Sequence, residues 1–153
     1  MSSRVGIGYD SHRFAEGATL ILGGVEVPHS QGLEGHSDAD VVAHAITDAV
    51  LGAGGLGDIG THFPPSEEEW RDADSIDLLR TATAMVSGYV VNADVTVICE
   101  EPRLGEHRQE MERVLAEALG APVNVKATTN EGMGWIGRGE GIACVAVASV
   151  EVD

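Results

Sequence analysis

The chain has 153 residues, the size of one ordinary domain, and 43% of them are hydrophobic, which excludes a disordered acidic tail. Twenty-five Asp and Glu residues oppose nine Lys and Arg residues, so the formal net charge is −16. That charge argues against nucleic acid and anionic membranes as partners, because both require a basic face.

The first third of the chain predicts two strands and a helix. The strands are expected over Val5–Tyr9 and Ala18–Val27, the second interrupted by a turn or bulge at Gly23–Gly24. Apolar residues at helical spacing predict a helix over Ser37–Leu51, with Ser37 as its N-cap. This start would put His36 at a helix N-terminus, where anions are favoured.

The rest of the chain predicts a long loop followed by helices and strands. The Gly- and Pro-rich loop over residues 52–70 is long enough to be functional. The further elements are expected at Ser75–Ser87 (helix), Val90–Cys99 (strand), Gly105–Leu119 (helix, ended by Gly120), Val123–Thr129 (strand) and Ile142–Val152 (strand). This order predicts an α+β fold, a mostly antiparallel or mixed sheet with helices on one face, as a variant of the ferredoxin-like arrangement.

Cysteines and termini bear on the cellular compartment. Cys99 and Cys144 lie far apart in apolar runs and are expected to be buried free thiols. No hydrophobic signal core and no apolar run long enough to span a membrane is evident. We therefore expect a cytoplasmic protein of a bacterial cytosol, with residues 1–153 forming a single domain.

Three residues form a candidate metal site. Asp10 and His12 lie two apart in a strand-like segment, so their side chains share a face, and His44 lies on the first predicted helix. Two imidazoles and one carboxylate suit Zn²⁺ with an open fourth position. Asp40 or Asp48, one turn either side of His44, would orient its ring. Such residues also occur without a metal, so this pattern alone leaves a structural role open.

Two Gly-rich segments are weaker candidates. Lys126–Gly132 closes a strand with hydroxyls, amides and a carboxylate, which fits either phosphate and metal contacts or an ordinary turn. Gly137–Gly141 places Arg138 and Glu140 between glycines, which fits either an exposed ion pair or an arginine that binds an anion. A P-loop and a serine-hydrolase motif are both absent from the sequence.

Taken together, several motifs resemble those of one family, the 2-C-methyl-D-erythritol 2,4-cyclodiphosphate synthases of the non-mevalonate isoprenoid pathway. The resemblance covers nearly the whole chain. The stretches that carry it are Gly6–His12, Gly35–Asp40, His44–Ala49, Leu56–Gly60, Asp74–Ser75, Asn124–Thr129 and Gly137–Ala143. Their joint order and spacing are far more specific than any single motif.

The resemblance implies a metal-dependent cyclisation with release of CMP, carried out by a cytoplasmic homotrimer whose active sites lie between subunits. It implies that Asp10, His12 and His44 bind Zn²⁺ and that Glu131 helps to bind a second divalent ion, Mg²⁺ or Mn²⁺, on the diphosphate. It assigns transition-state stabilisation to His36 and Thr129.

The resemblance also implies the residues that contact the small-molecule cytidyl diphosphate substrate. Besides the metal and catalytic positions these are Ser37, Asp58, Ile59 and Gly60, the flap Phe63, Pro64, Pro65, Ser66 and Glu67, then Cys99, Pro102, Arg103, Leu104, Gly105, Ala127, Thr128, Asn130, Trp135 and Arg138. The cytidine pocket would belong to the neighbouring subunit. Arg138 would lie near the trimer axis, where an isoprenoid diphosphate is a further expected ligand.

Arg103, Gly105, Asn130 and Trp135 differ from the residues most common at their positions in the family. Two other functions are compatible with the same residues. One is a metal-dependent phosphoesterase that uses water as the nucleophile, and the other is a trimeric binding protein for a metal or an isoprenoid diphosphate that has no turnover.

Overall fold

A computed structural model describes residues 1–35, 37–70 and 72–153. The strands are β1 (Ser2–Glu16), β2 (Ile21–Leu22), β3 (Val25–Glu26), β4 (Gln31–Leu33), β5 (Gly88–Ile98), β6 (Val123–Thr128) and β7 (Gly141–Val152). The helices are α1 (Val41–Ala53), α2 (Ile59–His62), α3 (Ser75–Met85), α4 (Arg108–Leu119) and α5 (Gly134–Gly137). Single 3-10 turns cover Glu68–Trp70 and Gly105–His107.

The main sheet has five strands in the order β4-β1-β7-β5-β6, and β2 pairs with β3 as a separate hairpin. Among the described strand pairs of this sheet, only β5–β6 is parallel. The predicted mixed α+β fold is confirmed. The predicted break at Gly23–Gly24 is the turn of the β2–β3 hairpin, where both glycines have positive φ (59° and 75°).

Close packing of β1 against α1 positions the candidate metal site. A Cβ on Gly6 would lie 2.0 Å from the Ala49 carbonyl oxygen, and one on Gly8 would lie 1.8 Å from that of Ala45. Only glycine therefore allows this approach. Because Asp10 continues the same face of β1, the approach brings it beside the part of α1 that carries His44.

The start of α1 differs from the prediction. The helix begins at Val41, and its N-cap is Asp40, whose side chain accepts the N–H groups of Val42 and Ala43. Ser37 as the cap was therefore wrong, and no helix N-terminus lies at Ser37. His36 lies outside the residues that the structure describes.

Most of the helices and strands after α1 follow the prediction within a few residues, whereas the elements before it do not. The first strand is much longer than predicted, and β4 was not predicted. The third predicted helix begins as a 3-10 turn at Gly105 and becomes α4 at Arg108; it ends, as predicted, at Gly120 in the left-handed conformation. Cys99 and Cys144 are free and buried, also as predicted.

One face of the sheet carries the core, and the opposite face is open. Along β1 the residues that alternate with Gly6 and Gly8 are apolar yet exposed, and they continue onto the neighbouring strands: Val5, Ile7, Tyr9, Tyr89 and Val147. Exposed apolar patches of this kind mark interaction surfaces. Within the described part of the chain, every helix is too short or too polar to cross a bilayer.

Candidate active site

The predicted metal triad converges on a single oxygen. Nε2 of His12 lies 2.9 Å from Oδ2 of Asp10, and Nδ1 of His44 lies 3.1 Å from the same atom. The two rings meet edge-on, with centroids 5.6 Å apart. The three possible ligand atoms lie within 4.8 Å of one another, so the structure brings together the residues that the sequence predicted for the metal.

The second nitrogen of each ring has its own partner. Nδ1 of His12 lies 2.9 Å from the Glu34 carbonyl oxygen, which can only accept, so this nitrogen donates. Nε2 of His44 lies 2.7 Å from Ser75 Oγ and 3.2 Å from Ser37 Oγ. Each neutral imidazole can therefore turn a lone pair toward Asp10, and this donor set suits a divalent ion such as Zn²⁺.

Mutual attraction stabilises the charged forms of Asp10 and His12. Burial alone would raise the pKa of Asp10, but hydrogen bonds to His12 and His44 outweigh it and lower that pKa to about 2. Burial alone would lower the pKa of His12, but the hydrogen bond to Asp10 and its charge raise that pKa above the ordinary value. Protons would therefore compete with any metal ion that binds at this site.

Neither carboxylate expected to orient His44 contacts its ring. Asp40 is fully buried and accepts the N–H groups of Gly23 and Gly24 at 2.8 and 2.7 Å, in addition to those of α1. Asp48 accepts the Ile59 N–H at 2.8 Å, and burial raises the pKa of its carboxyl group. The prediction that one of them orients His44 was wrong, because the oxygens that contact Nε2 of His44 are the hydroxyls of Ser75 and Ser37.

A cavity of about 210 Å³ adjoins the triad. It is lined by two triad residues, by residues of the predicted loop, by Ser37 and by one residue of α3: His12, Ser37, His44, Ile59, Gly60, Phe63, Pro65, Trp70 and Leu78. Asp58 is the N-cap of α2 and accepts the N–H and hydroxyl of Thr61 at 2.9 and 2.7 Å. Pro64, Ser66 and Glu67 belong to the same loop without lining the cavity.

A larger cavity, about 370 Å³, lies where β5 and β6 end. Most of the residues predicted for a cytidine pocket line it: Cys99, Pro102, Arg103, Leu104, Gly105, Ala127, Thr128 and Thr129, joined by Glu100 and Arg108. Burial raises the pKa of the Cys99 thiol to about 11, so the thiol stays protonated near neutral pH. Cys99 therefore lines the cavity and does not act as a nucleophile. Asn130 and Glu131 follow in the adjoining loop and do not line the cavity.

The loop after β6 is held by Glu100. Its carboxylate accepts the N–H groups of Asn130 and Gly132, at 2.6 and 3.1 Å. The Glu131 N–H donates to Thr129 Oγ1 at 3.2 Å, and Glu131 has a positive φ of 55°. The predicted second metal ligand is thus exposed on a tethered loop and is not one of the three triad residues.

The last two predicted contacts lie elsewhere. Trp135 lines a separate cleft with Ser11, His12, Arg13 and Glu140. Arg138 Nε donates to Glu140 Oε2 at 2.7 Å, and both side chains are mainly exposed. The exposed ion pair considered from the sequence is therefore formed.

The triad and the larger cavity lie three strands apart in one chain. Asp10 pairs with Cys144, Cys144 pairs with Val97, and Val97 pairs with Ala127. At about 4.8 Å per strand, the backbones of Asp10 and Ala127 are roughly 14 Å apart.

The profile of the YgbB family matches residues 3–151, nearly the whole chain. The chain belongs to the YgbB family. A YgbB relative from Rubrobacter xylanophilus, a 2-C-methyl-D-erythritol 2,4-cyclodiphosphate synthase, is 57% identical over 97% of this chain and 94% of its own length. The synthase of Salinibacter ruber is 53% identical over 97% of this chain and 98% of its own.

Solved structures agree with this family assignment. The bifunctional IspDF of Campylobacter jejuni superposes with a TM-score of 0.94 at 39% identity; the match covers 99% of this chain and 43% of the other. The IspF of Plasmodium falciparum in complex with CDP gives a TM-score of 0.84 at 31% identity, over 99% of this chain and 98% of the other.

Sequence reasoning gave no role to Glu100, Asp38 or Ser75. Asp38 accepts the Ser75 N–H at 3.1 Å and also the Ser75 hydroxyl. Asp74–Ser75 is one of the stretches that resemble the family, but the partner of Ser75 lies 37 residues away in sequence. In the sequence, Glu100 cannot be distinguished from an acidic loop residue that is exposed to solvent. Local patterns carry no signal for such contacts.

Proposed function

We propose that this chain converts 4-diphosphocytidyl-2-C-methyl-D-erythritol 2-phosphate into 2-C-methyl-D-erythritol 2,4-cyclodiphosphate and CMP, as a phosphorus–oxygen lyase of isoprenoid precursor biosynthesis. The convergence of Asp10, His12 and His44 on one oxygen beside the 210 Å³ cavity is the observation that carries the proposal. The family membership and the CDP bound to a solved relative support it.

In this reaction the nucleophile belongs to the substrate. An oxygen of the 2-phosphate bonds to the β-phosphorus, and the bond between that phosphorus and the oxygen bridging to the α-phosphorus breaks, with its electrons leaving on CMP. The protein has to hold two anionic groups in line, so its contribution is positioning and charge complementarity.

The triad residues would hold Zn²⁺, which when bound supplies charge neutralisation and polarisation of a phosphate oxygen. Glu131 would contribute to a site for a second ion, Mg²⁺ or Mn²⁺, on the diphosphate. His36 and Thr129 are proposed to stabilise the transition state, and Arg138 to face an isoprenoid diphosphate near the trimer axis.

The two cavities are proposed to take the two ends of the substrate. The methylerythritol end would lie against Ile59 and Gly60, under the loop of Phe63 and Pro65, all of which line or adjoin the triad cavity. Cytidine would occupy the larger cavity, where Arg103 is available for a phosphate.

We also propose a homotrimer with active sites between subunits. The exposed apolar side chains on the open sheet face, Ile7 and Val147 among them, give such an assembly a surface to bury. Residues 1–153 as one synthase domain, the ferredoxin-like description of the sheet and the cytoplasmic location remain predictions.

One assay tests the reaction. Purified protein is incubated with the cytidyl substrate, with and without a chelator, and the phosphorus products are identified by ³¹P NMR. We expect equal amounts of cyclic diphosphate and CMP, loss of both with chelator, and recovery on adding Zn²⁺ and Mg²⁺. His12→Ala should abolish CMP release, whereas His29→Ala, an exposed histidine packed on Phe14, should not.

Two results would contradict the proposal. A linear phosphate product would identify a phosphoesterase that uses water. Tight binding of CDP without CMP release from the substrate would identify a binding protein instead.

Subunit mixing tests the shared site. His12→Ala disables the triad and Thr129→Ala the larger cavity, so each pure variant should be inactive. If sites form between subunits, co-expression in equal amounts should restore about a quarter of wild-type activity, the chance that an intact triad faces an intact partner. Sites contained within one chain would leave the mixture inactive.

A further inference from the structure

Ser75 lies between a carboxylate and a histidine of the triad. It is fully buried at the first position of α3. Its hydroxyl contacts Asp38 Oδ1 and lies 2.7 Å from His44 Nε2. Ser37 Oγ, at 3.2 Å, is the more distant of the two hydroxyls near that nitrogen.

The proton positions in this chain of contacts follow from what each group can donate. An ionised carboxylate only accepts, and Asp38 also receives the N–H groups of Ser75 and Asp40, at 3.1 and 3.2 Å. Ser75 has one hydroxyl proton, and the contact with Asp38 uses it. The Ser75 oxygen can then offer only a lone pair to His44, so this contact is a hydrogen bond only when His44 Nε2 carries a proton. On the other side of the ring, the carboxylate of Asp10 attracts a second proton or a cation to Nδ1.

The tautomer of His44 determines what the triad can bind. A neutral imidazole with its proton on Nε2 has its lone pair on Nδ1, the nitrogen that lies 3.1 Å from Asp10. The opposite tautomer would point an N–H into the triad and exclude a cation. The Glu34 carbonyl imposes the corresponding choice on His12, through Nδ1.

We propose that Ser75, held by Asp38, is a positioning residue that fixes His44 as the Nε2–H tautomer and thereby sets the affinity of the triad for its metal. The inference rests on the metal-binding role of the triad in the proposed function. This role would account for the serine of the Asp74–Ser75 motif, and for the position of the first residue of α3 beside His44 of α1.

The first test uses metal-free protein and needs no turnover. The ¹⁵N shifts of the His44 ring, assigned by comparison with His44→Gln, are recorded about two pH units above the ordinary histidine pKa of about 6.5. We expect the proton on Nε2 in the wild type. Asp38→Asn can donate to Ser75 and release its hydroxyl proton toward His44, so it should shift the population toward Nδ1–H.

The second test is Zn²⁺ affinity, measured by competition with a chromogenic chelator. Ser75→Ala should bind Zn²⁺ about 10- to 100-fold more weakly, the usual effect of removing a group that orients a metal ligand. Thr83→Ala is the matched control, because it removes a hydroxyl of the same helix that bonds only to the Leu79 carbonyl. It should bind as the wild type does.

A wild-type His44 with its proton on Nδ1, or a Ser75→Ala protein that binds Zn²⁺ like Thr83→Ala, would overturn the inference. The wild-type ¹⁵N spectrum locates the His44 ring proton even if a variant does not fold. If Zn²⁺ binding depends on Ser75 while CMP is never released, the proposed reaction fails and the positioning role stands.

Discussion

Replacing Asp40 separates the two roles considered for it, capping α1 and orienting His44. One oxygen, Oδ1, accepts the N–H groups of Gly23, Val42 and Ala43 at 2.8–3.1 Å, and Oδ2 accepts that of Gly24. The carboxylate thus fastens the β2–β3 turn to the start of α1.

The expected loss of stability can be worked out from these contacts. Asp40→Ala removes an N-cap, worth about 1 kcal/mol, and strands the buried Gly23 N–H at about 1–3 kcal/mol. The exposed Gly24 N–H can turn to water, so the total loss is about 2–4 kcal/mol. Asp40→Asn keeps an oxygen in place of Oδ1 and loses only the bond from Gly24, about 1 kcal/mol.

Urea unfolding at one protein concentration, with metal chelated, measures these differences without contributions from bound metal or changing association. Asp77→Ala serves as control, because it removes an exposed carboxylate of α3 paired only with Arg80 at 2.9 Å and should cost about 0.5 kcal/mol or less. An Asp40→Ala protein as stable as Asp77→Ala would refute the capping role. Tenfold weaker Zn²⁺ binding by a folded Asp40→Asn protein would restore Asp40 as an orienter of His44.

Two further predictions concern packing and pH. Gly8→Ala should destabilise the protein by at least about 3 kcal/mol, because the new Cβ would lie 1.8 Å from the Ala45 carbonyl oxygen. Gly52→Ala, inside α1 and 3.9 Å from its nearest neighbour, should be neutral or stabilise by up to about 1 kcal/mol in the same urea titration. Zn²⁺ binding requires neutral His12, and the pKa of this residue is raised, so as the pH falls the affinity should start to decrease at a pH above 6.5 and should drop by at least about tenfold per unit below that pKa. Asp10, with a pKa of about 2, stays ionised through this range and adds nothing to the pH dependence of the affinity. A Zn²⁺ affinity that stays constant between about pH 5 and 8, measured by competition with a chelator, would contradict the predicted fall.

The sequence was sufficient for those features that depend on local periodicity. Strand alternation put Asp10 and His12 on one face, and the helical spacing of apolar residues placed His44 on the first helix. The short strand β4 has only three residues, Gln31–Leu33, too few for a period to be visible. The start of α1 was missed because Asp40, three residues after the predicted cap Ser37, is itself the cap and also accepts the N–H groups of the distant Gly23 and Gly24.

The parts of the site that could not be predicted are contacts between distant segments. Asp38 meets Ser75 across 37 residues, and Glu100 meets Asn130 across 30. Nothing within either local window distinguishes these carboxylates from solvated ones. The resemblance to a family predicted residues that contact the substrate, but it gave no role to the residues that hold them in place.

The net charge of −16 and a substrate with three phosphates are compatible only if positive charge is supplied locally. Much of the chain's own positive charge is already paired: Lys126 donates to both oxygens of Asp94, and Arg138 to Glu140. Arg103 and Arg108 line the larger cavity, so that end can meet a phosphate with protein charges. Among the described residues that line the triad cavity there is no lysine or arginine. Two phosphates brought together there would repel each other without screening, so a bound cation at Asp10, His12 and His44 is a requirement of the proposed chemistry.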